Sequence, residues 1–419
     1  MSTILEHPKP AFAGIPGLGH MPSVDPDLDA VPMPRKANGR KIVALIPAGE
    51  VHDKTSVRSW SAANPNRDVK ETYNSGDMFV YEASLRLLDF DQMEAIPLES
   101  EWNQRMVDRL NEEAAYCFVR GSNYIHHEMK WGNLPALLEK LKIPIVAFGI
   151  GAQAPQYKDV KVSEDTLRFL KIVSERSKTI GVRGNFSAEI INGFGVKNVE
   201  VIGCPSLMRH NRPRLDIKVK DLAEVKRLGF TLTRGLWPMY CEDPKKARAM
   251  QREMILDYAK RYDFTLISQG EQPERAYWYR DPAEVAAAFA ALVENKWFSG
   301  ADDPMVEIYR KHMFFGTSPR AYEELAKQMD LVLGFRLHGN IMALANRVPA
   351  VYVTYDSRTR ELVDYLGIPA YDIVDKEPFK LENYYTQARF DHFNECYANA
   401  YRRMAAFLDT NGVPHLMRP

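Results

Sequence analysis

The stretch LVLGFRLHGNIMALANRVPAVYVTYDSRTRELVDYLGI, residues 331–368, decides the fold. It opens with an apolar run, 331–335, short enough for a buried strand. Arg336-Leu337-His338 follows, then Gly339-Asn340 and a helical spacing through Ile341, Leu344 and Ala345. A second apolar run, 350–354, ends at Tyr355-Asp356. Strand, polar turn, helix, strand is one unit of a parallel α/β sheet. In such sheets ligands collect at the carboxyl ends of strands, against helix N-termini whose N–H groups are unpaired. Arg336 and His338 fall at that end. A strand persisting through both would point them to one side. An arginine, a histidine and a helix N-terminus together suit an anionic substrate that needs a proton moved.

Working back toward the start, the same grammar recurs. Residues 41–46 (KIVALI), 117–120, 145–148, 179–182 and 199–202 read as strands of a first half; 230–233, 265–267 and 312–315 belong to a second. Helical spacing covers 78–88, 134–141, 166–177, 245–262, 282–293 and 321–328. Arg183 ends a strand before a helix, as Arg336 does, and the two read as opposite walls of one cleft. Tyr73-Asn74-Ser75-Gly76-Asp77 opens a helix, where simple capping competes with a loop that brings backbone donors to a ligand. The Gly149–Gly151 turn, Gln269 and Asn340 are further cleft candidates at strand ends. His126-His127-Glu128 lacks a metal-ligand spacing and reads as structural.

The expected layout is a proline-rich tail over 1–38, where seven prolines accompany no hydrophobic period, an α/β domain over 39–212 and a second over 213–378. A helical segment, 379–419, completes the chain. Its stripe of Phe393, Cys396, Tyr397, Tyr401, Met404 and Leu408 reads as core packing. The segment 56–70 is polar and expected to be a loop near the cleft.

Lys plus Arg and Asp plus Glu are 55 each, so nothing in the charge steers the chain toward nucleic acid. Nor does any run approach the about 20 apolar residues of a membrane helix, and no secretory leader is recognisable. Four scattered cysteines without a CxxC read as buried thiols in a reducing, cytoplasmic setting.

With these pieces placed, the chain resembles the polysaccharide pyruvyl transferase family. The resemblance is carried by Tyr73-Asn-Ser-Gly-Asp77, Val182-Arg-Gly-Asn185, Phe335-Arg-Leu-His-Gly339 and Val353-Thr-Tyr-Asp356, in that order. Cys204-Pro205 stands where many members carry Asp-Pro. The resemblance implies two Rossmann-like parallel-sheet domains facing a cleft, as in the GT-B glycosyltransferases. It also implies phosphoenolpyruvate as donor, a glycan acceptor (free or lipid-linked, the latter placing the enzyme at the inner membrane face) and a cyclic pyruvate ketal as product. The family's histidine falls on His338 and its substrate-binding arginines on Arg183 and Arg336. Histidine suits the general acid, since its unperturbed pKa lies near neutrality. Arginine suits the clamp on phosphate or carboxylate. Neither metal nor cofactor is required by this chemistry. A nucleotide-sugar glycosyltransferase and a catalytically silent subunit of a glycan-assembly complex are the alternatives. Oligomeric state is not legible.

Overall fold

The structure, a computed structural model, describes residues 39–51, 57–59, 74–158 and 160–418. The 1–38 tail and most of the 56–70 loop lie outside the described residues. Fourteen strands are described: β1 Lys41–Leu45, β2 Glu50–Val51, β3 Val57–Arg58, β4 Gln92–Ile96, β5 Ala114–Arg120, β6 Ile145–Ile150, β7 Ile180–Val182, β8 Val199–Val201, β9 Arg227–Thr231, β10 Asp263–Ser268, β11 Met313–Phe315, β12 Leu331–Gly334, β13 Ala350–Thr354 and β14 Ala370–Asp372. Except for the small antiparallel β2–β3 pair, they form two parallel sheets, ordered β4-β1-β5-β6-β7-β8 and β11-β10-β9-β12-β13-β14.

Both sheets are buried on two faces, so their strands read as continuous apolar runs rather than alternations. Ile145–Ile150 is buried throughout, and so are Leu331–Gly334 and Ala350–Thr354. β4, with Glu94 and Gln92 on an edge, carries no such run and has no counterpart in the sequence reading. The helices Gln272–Tyr279 and Pro304–His312 are likewise absent from it.

Strand order reverses once in each sheet, between β1 and β5 and between β9 and β12. A parallel α/β sheet opens a crevice at such a reversal, because the crossovers leave in opposite directions. Arg120 to Asn123 emerge at the first crevice, and Arg336 to His338 at the second. The two crevices face one another, which fixes where the site lies.

The last helix, Gln387–Thr410, packs across both halves. Asn394 accepts from the Ile217 backbone at 2.9 Å, while Phe407 stacks on Phe148 of β6 with ring centres 6.2 Å apart. The chain then pairs back on the first half, where Leu416 N donates to Leu87 O at 2.8 Å.

Candidate functional site

The turn after β12 is made by backbone geometry. Gly334 takes φ +145°, and a Cβ there would run into the Thr231 carbonyl. Phe335 N and Arg336 N both donate to that carbonyl, at 2.9 and 3.3 Å, which lifts the chain off the sheet. The strand therefore stops at Gly334, and Arg336 is the N-cap of the helix Leu337–Ala345. His338 lies in the first turn of that helix, so a strand period does not aim the two side chains. They reach the cleft because a helix begins there. Asn340 is buried and donates to Thr231 Oγ1 at 2.8 Å and to Arg336 O at 3.0 Å. It clamps the turn and does not line the cavity.

The facing wall starts at Asn74, the N-cap of the helix Ser75–Leu87. Its Oδ1 accepts from Gly76 N at 3.1 Å and also from Arg336 Nη2 at 3.4 Å, so capping and cleft roles coincide in one atom. Gly76 lets the two helix starts meet, since a Cβ there would sit 2.7 Å from His338 Nδ1. Asp77 pairs with Arg120 at 3.0 Å and accepts from Ser122 at 3.4 Å. Burial works against its carboxylate, but the Arg120 ion pair, helped by the Ser122 hydroxyl, outweighs burial and holds its pKa below the usual range. Gln269 is buried away from the cavity, and its carbonyl accepts from Ser75 N at 2.9 Å as a tie between the halves.

Gly149 and Gly151 close the floor. Gly149 takes φ +85°, and Gly151 leaves room for the Arg183 guanidinium, which any Cβ would overlap. Arg183 is 4% exposed, with Nε 3.5 Å from Glu361 and with Nε and Nη2 lacking hydrogen-bond partners. A cavity of about 130 Å³ is lined by Arg183, Arg336 and His338 together with Asn74, Asp77, Ser122, Asn123, Gly149, Cys204 and Arg358.

Four of these, Ser122, Asn123, Cys204 and Arg358, were not singled out from sequence as cleft residues. Arg358 is held over the cavity by Tyr355, whose hydroxyl accepts its Nη2 at 2.9 Å, and by Asp356 at 3.5 Å. Tyr355-Asp356 thus serves to place a third guanidinium, and a cation just past the β13 strand end was the available signal. Asn123 donates to Gln153 at 2.8 Å, and Gln153 donates across the cleft to Asp356 at 3.1 Å. Cys204 is buried, as expected, yet its Sγ lies 3.7 Å from His338 Nε2 and 2.9 Å from Ser206 Oγ. Burial raises its thiol pKa.

Burial, followed by the guanidinium groups of Arg358, Arg183 and Arg336, pushes the His338 imidazolium down to about 3, against the pull of Asp77. His338 is therefore neutral at pH 7 before substrate enters.

Residues 51–357 match one protein family, described as polysaccharide pyruvyl transferase. The chain belongs to that family. As a pyruvyl transferase relative it is a transferase whose family acts on polysaccharide. No curated protein sequence matches it. Among solved structures it is similar to MnaA of S. aureus with UDP, at 11% identity and TM-score 0.41, covering 90% of this chain and 98% of that one. It is also similar to HepE of Anabaena in complex with UDP and glucose, at 11% identity and TM-score 0.41, covering 89% and 97%. The trehalose-6-phosphate synthase OtsA matches at 8% identity and TM-score 0.43, covering 90% and 100%.

Proposed function

We propose that this pyruvyl transferase family member moves the pyruvate unit of phosphoenolpyruvate onto two hydroxyls of a glycan sugar as a cyclic ketal, releasing phosphate. The observation that carries the reading is Arg183: a buried guanidinium with two unpartnered N–H edges, in a cavity shared with Arg336, Arg358 and His338. A buried cation of this kind is stabilised by an anion that accepts both edges. Phosphoenolpyruvate has two anionic groups flanking its enol carbon. Its charge among the guanidinium groups works against the burial and the repulsion that together keep His338 neutral, so His338 takes up a proton as the donor binds.

His338 then gives that proton to the methylene carbon, and the first hydroxyl adds to the carbon bearing the phosphate oxygen. The proton of this hydroxyl returns to His338. Phosphate leaves, taking the proton of the second hydroxyl as that hydroxyl closes the ring. Atoms and charge balance without a further reactant. Arg336 is anchored by Glu271 at 3.0 Å, which fixes one wall of the anion site.

The test is calorimetric and thermal-shift titration with phosphoenolpyruvate beside UDP. A ligand bound only by the native state raises the unfolding midpoint. A phosphoenolpyruvate response that is lost in Arg336→Ala and in Arg183→Lys, whose point charge cannot fork, is expected. A response to UDP alone would overturn the donor assignment.

A further inference from the structure

The loop between β9 and the helix Pro244–Arg261 is pinned at both ends beside the cavity. At its start Arg234 pairs with Glu274 at 2.6 Å and also feels the charge of Glu271, the carboxylate that anchors Arg336. At its end the Tyr240 hydroxyl crosses to Glu128 of the first half at 2.7 Å, with His126 edge-on to its ring, and Tyr240 feels the charge of Arg358. The loop thus starts at the Arg234–Glu274 pair, three residues from the Glu271 that holds Arg336, and ends against Glu128 of the first half. Leu236 and Cys241 are buried beneath it, and Tyr240 N and Cys241 N both donate to Trp237 O, at 2.9 and 2.8 Å. On its crest Trp237 is 63% exposed and Met239 37% exposed.

Trp237 and Met239 put adjoining apolar surface on the crest of a loop tied to both halves, and an indole there presents a flat apolar face with one N–H donor. The other strongly exposed rings are otherwise engaged. Tyr157 packs on Phe186 and donates to Asp364, and Tyr279 lies under the Arg275 guanidinium. Trp237 stacks on no aromatic ring among the described residues.

We infer that Trp237 is the platform on which a pyranose ring of the glycan acceptor lies at the mouth of the Arg183–His338 cavity. The inference rests on the pyruvyl-transfer reading of that cavity. A pyranose has one face of C–H groups, which covers the flat indole. Indole offers a wide apolar contact with little side-chain entropy to lose, plus one N–H donor for a sugar hydroxyl. Pinning the loop at Glu274 and at Glu128 fixes that face relative to both halves, so a stacked ring is held in one orientation.

The test uses the full chain with saturating phosphoenolpyruvate and a panel of methyl hexopyranosides, following acrylamide quenching of tryptophan fluorescence beside calorimetry. Bound sugar should shield Trp237 from acrylamide. Trp237→Ala should weaken sugar binding about three- to tenfold, the scale of one aromatic contact, while phosphoenolpyruvate affinity stays within about twofold. Trp237→Tyr should keep most of the affinity. Sugar binding without shielding, equal affinity in Trp237→Ala, or no uptake of any pyranoside would each overturn the platform. Shielding by sugar with no phosphoenolpyruvate binding would support the platform and remove the donor assignment instead.

Discussion

In the proposed chemistry His338 delivers a proton, and yet it starts without one. With its imidazolium pushed down to about 3, binding of a polyanion at pH 7 must raise that value before proton transfer. Phosphoenolpyruvate binding should therefore take up close to one proton, seen as a binding heat that changes with the ionisation enthalpy of the buffer. His338→Gln should abolish the uptake and lower turnover by about 10²–10⁴ while the fold persists. A buffer-independent heat would show that the histidine stays neutral. Gly151 gives a second prediction at this scale. Gly151→Ala places a Cβ inside the Arg183 guanidinium, so the chain should fold while phosphoenolpyruvate affinity drops at least about tenfold, the scale of a hydrogen bond to a charged group. Of these residues, Arg183, Arg336 and His338 were legible in sequence because each follows a strong apolar strand. Arg358 was not, because its aim depends on Tyr355 and Asp356 folding back over it.

Between elements, the helix Ser75–Leu87 of the first half meets the helix Pro319–Ala326 of the second around Arg209. This guanidinium is fully buried and pairs with Glu82 at 2.8 Å and Glu323 at 2.9 Å. Removing it would leave Glu82 with Arg86 alone, at 2.8 Å, and Glu323 with Lys327 at 2.7 Å, around an unfilled interior site. Arg209→Ala should cost about 3–5 kcal/mol, read as a lower denaturant midpoint. Loss below about 1 kcal/mol would mean that Arg86 and Lys327, already 2.8 and 2.7 Å from the two carboxylates, suffice to hold them. Nothing in the sequence around Arg209 marks it, since its partners lie 127 and 114 residues away. Long helices were legible through their 3.6 period. Edge strand β4 and the helices Gln272–Tyr279 and Pro304–His312 were not, because short, polar or aromatic-rich segments carry no clear period.

Across the whole molecule, the halves are joined beside the site by buried polar contacts. Glu361 of the second half accepts from Ser187 N at 2.9 Å and Ser187 Oγ at 2.7 Å of the first, next to Arg183. Burial lifts its carboxyl from 4.5 to about 7, despite the attraction of Arg183. The folded state then holds more protons than the unfolded between those values, so this group's contribution falls as pH rises from 4.5 through 7. Glu361→Gln should flatten that slope in urea titrations between pH 5 and 8. An unchanged slope would place the titrating group elsewhere. No described helix is long and apolar enough to cross a membrane.

The sequence by itself determined the two parallel-sheet halves, the strand ends that bear Arg183 and Arg336, and the family signature around His338. Those depend on local apolar runs and on helix starts, which are written within a few residues. Only the tertiary structure decided that Gln269 and Asn340 hold the frame rather than line the cavity. It likewise set Cys204 against His338 and Arg358 over the cavity, and buried the histidine so that its pKa falls. Each of these follows from distances between segments far apart in the chain and from the loss of water around them, and neither is encoded in spacing.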